Sequence, residues 1–199
     1  MSDTAARPNK RAQVLWAARG VFLEQGYGGA SMDAIAAAAG VSKATVYAHF
    51  TGKEQLFTEM VSGYCEEQQA AVAEIEAEKL DIAERLRRIA IALMRYLAHP
   101  HAVAFSNMIL GEAGRFPDLG RVFVESGAAR LEAQLAGVLE RAGQRGEIEM
   151  KDPALVAELF IGMIRGVVQS RSLKAGGTPP SEADCAAIAA AASRLLTSS

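Results

Sequence analysis

The sequence predicts an all-α chain, and three observations predict it. Ala, Leu, Glu and Arg dominate a chain of 199 residues that is 50% hydrophobic and only 6% aromatic, a balance that favours helix over sheet. Apolar residues recur at the three-to-four spacing of a helix face. Glycine or proline breaks, followed by Ser, Thr or Asp, divide these stretches at the places where helices stop and start.

The elements follow in order. Pro8 suits a first helical turn. Ala12, Leu15, Trp16, Ala18, Phe22 and Leu23 carry the first helix to Gln25-Gly26. Ser31 caps a second, with Met32, Ile35, Ala36 and Ala39 on one face, and Gly40 ends it. Ser42 caps a third, with Val46 and Phe50 inward. Thr51 and Glu54 match a capping box for a long helix reaching about Lys79, and Leu56, Phe57, Met60, Val61 and Tyr64 open its apolar face. Helices are expected over 82–98, 102–111 and 119–142, with a break at 114–117. Asp152-Pro153 opens a helix to about Leu173, KAGGTPP forms a loop, and Ser181 opens a last, alanine-rich helix. The division into a head of residues 1–55 and a body of 56–199 falls inside the long helix.

Net charge is −2, so the whole chain is no basic nucleic-acid coat. Residues 1–60 hold six Lys/Arg against five Asp/Glu, and the rest fifteen against eighteen. The head's basic residues cluster at Arg7, Lys10 and Arg11, and again at Lys43 and Lys53, which is enough for a focused positive face. Two distant cysteines, Cys65 and Cys185, make no disulfide framework. The N-terminus lacks the apolar segment of a signal peptide. No apolar run is expected to reach membrane-spanning length, because Glu158 and Arg165 interrupt the longest one. A cytoplasmic location follows as an expectation.

Residues 31–53 carry the chemistry: a helix, a glycine turn and a short second helix. This is the layout of a DNA-reading helix-turn-helix. At about 100° per residue, Val46 and Phe50 turn inward while Ala44, Thr45 and Ala48 point away, flanked by Lys43, Tyr47 and His49. Small residues let the helix enter the major groove, where Ala44 and the Thr45 methyl can touch thymine and Lys43 can donate to guanine. Ser31, Ser42, Tyr47, His49 and Lys53 suit phosphate, and Arg7, Lys10 and Arg11 add backbone or minor-groove contacts. The plainer alternative is a helical hairpin with a solvated polar face.

These residues carry a family resemblance. Ser31-Met-Asp-Ala-Ile-Ala, Ala39-Gly-Val-Ser-Lys43, Thr45-Val-Tyr-Ala-His-Phe50 and Lys53-Glu-Gln-Leu-Phe57 resemble the N-terminal domain of TetR-family regulators, as does Phe22-Leu-Glu-Gln-Gly-Tyr27 before them. Ala44 stands where that family often has Gly. The resemblance implies a three-helix DNA-binding head, a helical ligand-binding and dimerisation body, a homodimer and a palindromic double-stranded DNA operator. More weakly, Gly111-Glu-Ala113, Arg115-Phe-Pro117, Gly146-Glu-Ile148 and Asp152-Pro153 resemble the AefR-like and AcrR-like groups. A repressor released by a small apolar or amphipathic inducer is the function this implies. The alternatives are a DNA-binding regulator without a ligand, or a helical carrier or enzyme with a borrowed head. No catalytic triad, phosphate loop, dinucleotide motif or metal cluster supports an enzyme, and no cofactor is expected.

In the body, Phe105, Met108, Ile109 and Glu112 share a helix face. That face could wall a pocket with one carboxylate, joined by Tyr64, Gln68 and Met94, or it could be ordinary core. Gly162 and Gly166 would let a helix approach its dimer mate closely, with Val156, Leu159, Phe160, Met163, Val167, Ile188, Ala192 and Leu195 completing the interface. Packing within one subunit is the alternative. His99 and His101 flank Pro100 as a surface turn, and Cys65 reads as a buried structural thiol rather than an oxidant sensor.

Overall fold

The computed structural model describes residues 9–197, Ser126 by its backbone alone. Among these residues the chain forms ten α-helices: α1 (Lys10–Gly29), α2 (Met32–Ala39), α3 (Lys43–His49), α4 (Lys53–Ala77), α5 (Ile82–Leu97), α6 (Pro100–Glu112), α7 (Pro117–Phe123), α8 (Ala129–Gln144), α9 (Pro153–Lys174) and α10 (Glu182–Thr197). A π-helical turn, Val124–Ala128, separates α7 from α8. The single helix expected over 119–142 is therefore two.

Local chemistry sets the boundaries. Asn9 caps α1 by accepting from the Arg11 and Ala12 amides, while Pro8 lies outside the described residues. Ser31, Ser42, Asp81 and Asp152 cap α2, α3, α5 and α9 through their side-chain oxygens, each worth about 1 kcal/mol. Gly40 ends α2 in the left-handed region at φ 62°, with its N–H donating to the Ala36 and Ala37 carbonyls. At Thr51 the expected partner is off by one. Gln55, not Glu54, takes the Thr51 N–H (2.8 Å) and hydroxyl (3.1 Å).

The described residues pack as two compact units. The first runs to Gly63 and also holds residues 107–123; the second holds 64–106 and the chain from 124 onward. This packing divides the chain eight residues after the expected boundary and returns a distant segment to the head.

In the first unit, Val14, Ala18, Phe22, Ile35, Val46, Phe50, Leu56 and Phe57 are fully or almost fully buried. Phe22, Tyr27 and Phe57 form an aromatic knot, with ring centroids 5.4–5.9 Å apart. Trp16, expected on the inner face of α1, is 77% exposed. Val14, Ala17 and Val21 fill that face together with the expected Ala18 and Phe22. In the second unit, Leu86, Ile89, Met94, Leu135, Leu139, Phe160 and Ile164 centre the core.

Candidate nucleic-acid interface

The helix-turn-helix presents α3 as its chemistry requires. Val46 (0% exposed) and Phe50 (1%) anchor it inward. Lys43, Ala44, Tyr47, Ala48 and His49 are exposed. Thr45 is only half exposed, because its hydroxyl lies 2.9 Å from the Ser42 Oγ. The expected outward trio is therefore led by Ala44 and Ala48, with the Tyr47 phenol beside them.

Several expected DNA contacts hold internal partners. Lys43 Nζ lies 2.7 Å from Asp33 on α2, which raises its pKa and folds the ammonium back over the turn. The Ser31 and Ser42 hydroxyls accept from the Ala34 and Thr45 amides, each at 3.1 Å. Arg11 pairs with Glu59 and stacks 5.2 Å above the Phe50 ring. Lys10 donates to the Gln13 side chain at 3.1 Å. Arg7 lies outside the described residues.

Lys53 is committed most fully. Its ammonium donates to the carbonyls of Tyr27 (2.9 Å), Ala30 (3.3 Å) and Gly28 (3.4 Å) and sits 4.6 Å from the Tyr27 ring centroid. An ammonium has three donors, so a phosphate must displace one of these carbonyls. Lys53→Met should therefore lower stability by about 1–2 kcal/mol, read as a lower thermal midpoint. An unchanged midpoint with a flatter salt dependence of DNA binding would instead return Lys53 to the phosphates.

The ligand candidates are shared between the two units. Tyr64, Gln68, Met94 and Phe105 belong to the second unit, and Met108, Ile109 and Glu112 to the first. The Tyr64 ring lies 5.2 Å from Phe105 and 5.9 Å from Tyr96. Burial pushes the Tyr96 phenol far above its usual range, and Met94 is fully buried. Glu112, expected to orient a ligand, instead accepts the Gly28 N–H at 2.8 Å. Beside it, Phe116 packs on Tyr27 at 5.4 Å. The sequence gives no sign of this contact, because its partners are 84 positions apart.

Burial raises the Cys65 thiol to about 11. Any stability from keeping it neutral is present below the unfolded thiol's pKa and lost as pH rises toward the folded value. In the native protein at pH 8, iodoacetamide should label Cys65 far more slowly than in urea. Equal rates would make it a reactive thiol.

The interface candidates divide between buried and exposed faces of α9 and α10. Phe160, Ile188 and Ala192 are buried inside their own subunit, which corrects their placement at an interface. Leu159 (61%) and Leu195 (72%) are exposed, as are Gly162 and Gly166, while Val156, Met163 and Val167 are half-buried. Leu155 and Leu173, both exposed, extend the stripe and were missed. A Cβ added at Gly162 or Gly166 would meet nothing within 4 Å. Counter to expectation, α9 is long and apolar enough to span a membrane by composition, with a window of mean hydropathy 1.3. Apolar residues on both a core face and an outer stripe produce that value. Among the described residues, no three His, Cys, Asp or Glu side chains could hold a metal ion.

Comparison with known proteins agrees with this geometry. Residues 14–60 match the profile described as bacterial regulatory proteins of the tetR family, and residues 84–197 match that of the AefR-like transcriptional repressor C-terminal domain. A protein of Mesorhizobium loti described as a TetR-family transcriptional regulator superposes with a TM-score of 0.81 and 30% identity, covering 95% of each chain. The flavonoid-responsive regulator FrrA superposes with a TM-score of 0.75 and 35% identity over 96% of each. The activator FasR of Mycolicibacterium smegmatis is 34% identical over 93 residues, which are 47% of this chain and 42% of FasR. These relatives are transcriptional regulators rather than enzymes. With both profiles matched along its length, the chain belongs to the TetR family of helix-turn-helix transcriptional regulators.

Proposed function

We propose that the protein is a ligand-responsive repressor that binds a palindromic operator as a homodimer and is released by a small inducer. The observation that carries this reading is α3, whose small, exposed Ala44 and Ala48 lie between Lys43, Tyr47 and His49 while Val46 and Phe50 hold its back. A surface of that shape can seat closely on base edges, with Lys43 leaving Asp33 to donate to guanine while Tyr47 and His49 take phosphates. Two such helices, one per subunit, would read half-sites about 34–36 Å apart.

The outer stripe of α9 supports the dimer. Leu155, Leu159, Gly162 and Gly166 recur along one side, and the glycines allow close approach of a second backbone. The second unit supports the inducer. Tyr64, Tyr96 and Phe105 cluster there. Gln69 Nε2 and Gln134 Oε1 are buried with no hydrogen-bond partner among the described residues, a donor and an acceptor suited to an amphipathic molecule. FrrA, a relative, is flavonoid-responsive by name, which favours aromatic inducers as the first compounds to try. The inducer's effect would reach the head through α4 and through residues 107–123, chain that continues from one unit into the other. A place beside the chromosome, in the cytoplasm, goes with this work.

The test is fluorescence anisotropy on DNA upstream of the protein's own gene. Nanomolar binding that weakens with salt is expected. Tyr47→Ala should weaken it about tenfold on every sequence, while Lys43→Ala should relax base preference. No binding by the purified dimer, with or without a compound panel, would end the proposal.

A further inference from the structure

The second unit holds a groove of about 490 Å³ among the end of α5, the start of α6 and the start of α10. Its volume is in the range of small-molecule sites. Ile91, Ala98, Pro180 and Ala186 give it apolar walls, and Arg95, His99 and Glu182 are its polar lining. None of the proposed inducer residues lines it.

The three polar groups are prepared for a ligand in different ways. Arg87, Arg88, Arg141, Arg145 and Arg171 of this unit each pair with a carboxylate. Arg95 has no hydrogen bond or ion pair among the described residues, so its planar fork of donors is unspent. The His99 Nδ1 accepts the His101 backbone N–H at 3.3 Å. The ring proton of a neutral imidazole then sits on Nε2, making it a second donor. Glu182, also without a partner among the described residues, is an acceptor and does not pair with Arg95. Covalent capture is disfavoured. Burial raises the Cys185 thiol, which points to the Pro180 carbonyl at 3.9 Å.

We infer that this groove is a binding site for a small amphipathic carboxylic acid with a hydroxyl at its far end. The carboxylate meets Arg95 and His99, the apolar body lies along Ile91, Ala98 and Pro180, and the hydroxyl donates to Glu182. The site is additional to the inducer site proposed above and stands independently of it.

The probe is 3-(4-hydroxyphenyl)propionate, added to the full-length protein with ¹³C-labelled alanine methyls. Binding should shift the Ala98 and Ala186 methyl signals. The carboxamide analogue should bind about tenfold more weakly, and Arg95→Gln should bring the acid down to the amide's affinity. Glu182→Ala should remove the advantage of the acid over 3-phenylpropionate, and Ala186→Leu should close the groove to all three. Arg95, Glu182 and Ala186 are exposed, so these variants keep the core intact. The inference is overturned if the shifts appear only at other methyls, if acid and amide bind equally, or if Arg95→Gln leaves the acid's affinity unchanged.

Discussion

Gly26→Ala should destabilise the protein by about 2–4 kcal/mol, lowering the thermal midpoint by on the order of 10 °C. Two causes add. Gly26 sits at φ 70° and ψ 171°, a region open essentially only to glycine, where any Cβ costs about 1–3 kcal/mol. The new methyl would also occupy the place of the Glu112 carboxylate, which must swing away and release the Gly28 amide. A double-mutant cycle separates the two causes. In a Glu112→Ala background the steric part disappears and only the backbone part remains, so the two substitutions should be less than additive. Wild-type unfolding of Gly26→Ala would disprove this account of the turn.

Leu159→Arg should convert the protein from dimer to monomer at micromolar concentration in light scattering, with operator affinity falling at least about a hundredfold as the second head is lost. Leu159 is 61% exposed on the α9 stripe beside Gly162. An arginine there adds bulk and charge where a partner's backbone has to come close, yet costs the isolated subunit little. The neighbouring Phe160→Ala makes the contrast. Phe160 is 1% exposed, so its truncation should cost about 3–5 kcal/mol of stability while leaving the stripe intact. A Leu159→Arg protein that stays dimeric would move the interface off α9.

These two cases show what was legible in the sequence. The turn from α2 to α3 could be read because its determinants are local. Ser31, Gly40 and Ser42 cap within four residues, and Val46 and Phe50 mark one face. α9 could be read as apolar but not oriented. Phe160 and Leu159 are adjacent, and a hydrophobic pattern does not say which of two apolar faces serves the subunit's own core. Trp16 failed for a related reason, since size and hydrophobicity suggested burial while Val14 and Ala17 held the inner line. Glu112 and Lys53 were read as free charges. Their partners are backbone groups of residues 27–30, and backbone groups leave no trace in residue identity. The break within 119–142 has no proline to announce it.

The return of residues 107–123 to the first unit has a practical meaning for anyone who exchanges parts between such regulators. A head cut out at Gly63 would leave behind Glu112, which takes the Gly28 amide, and Phe116, which packs on Tyr27. Grafted onto another body, that head would meet a foreign sequence at its α1–α2 corner. A working chimera has to carry two pieces of chain, and any substitution in the second is also a substitution in the DNA-binding part of the molecule.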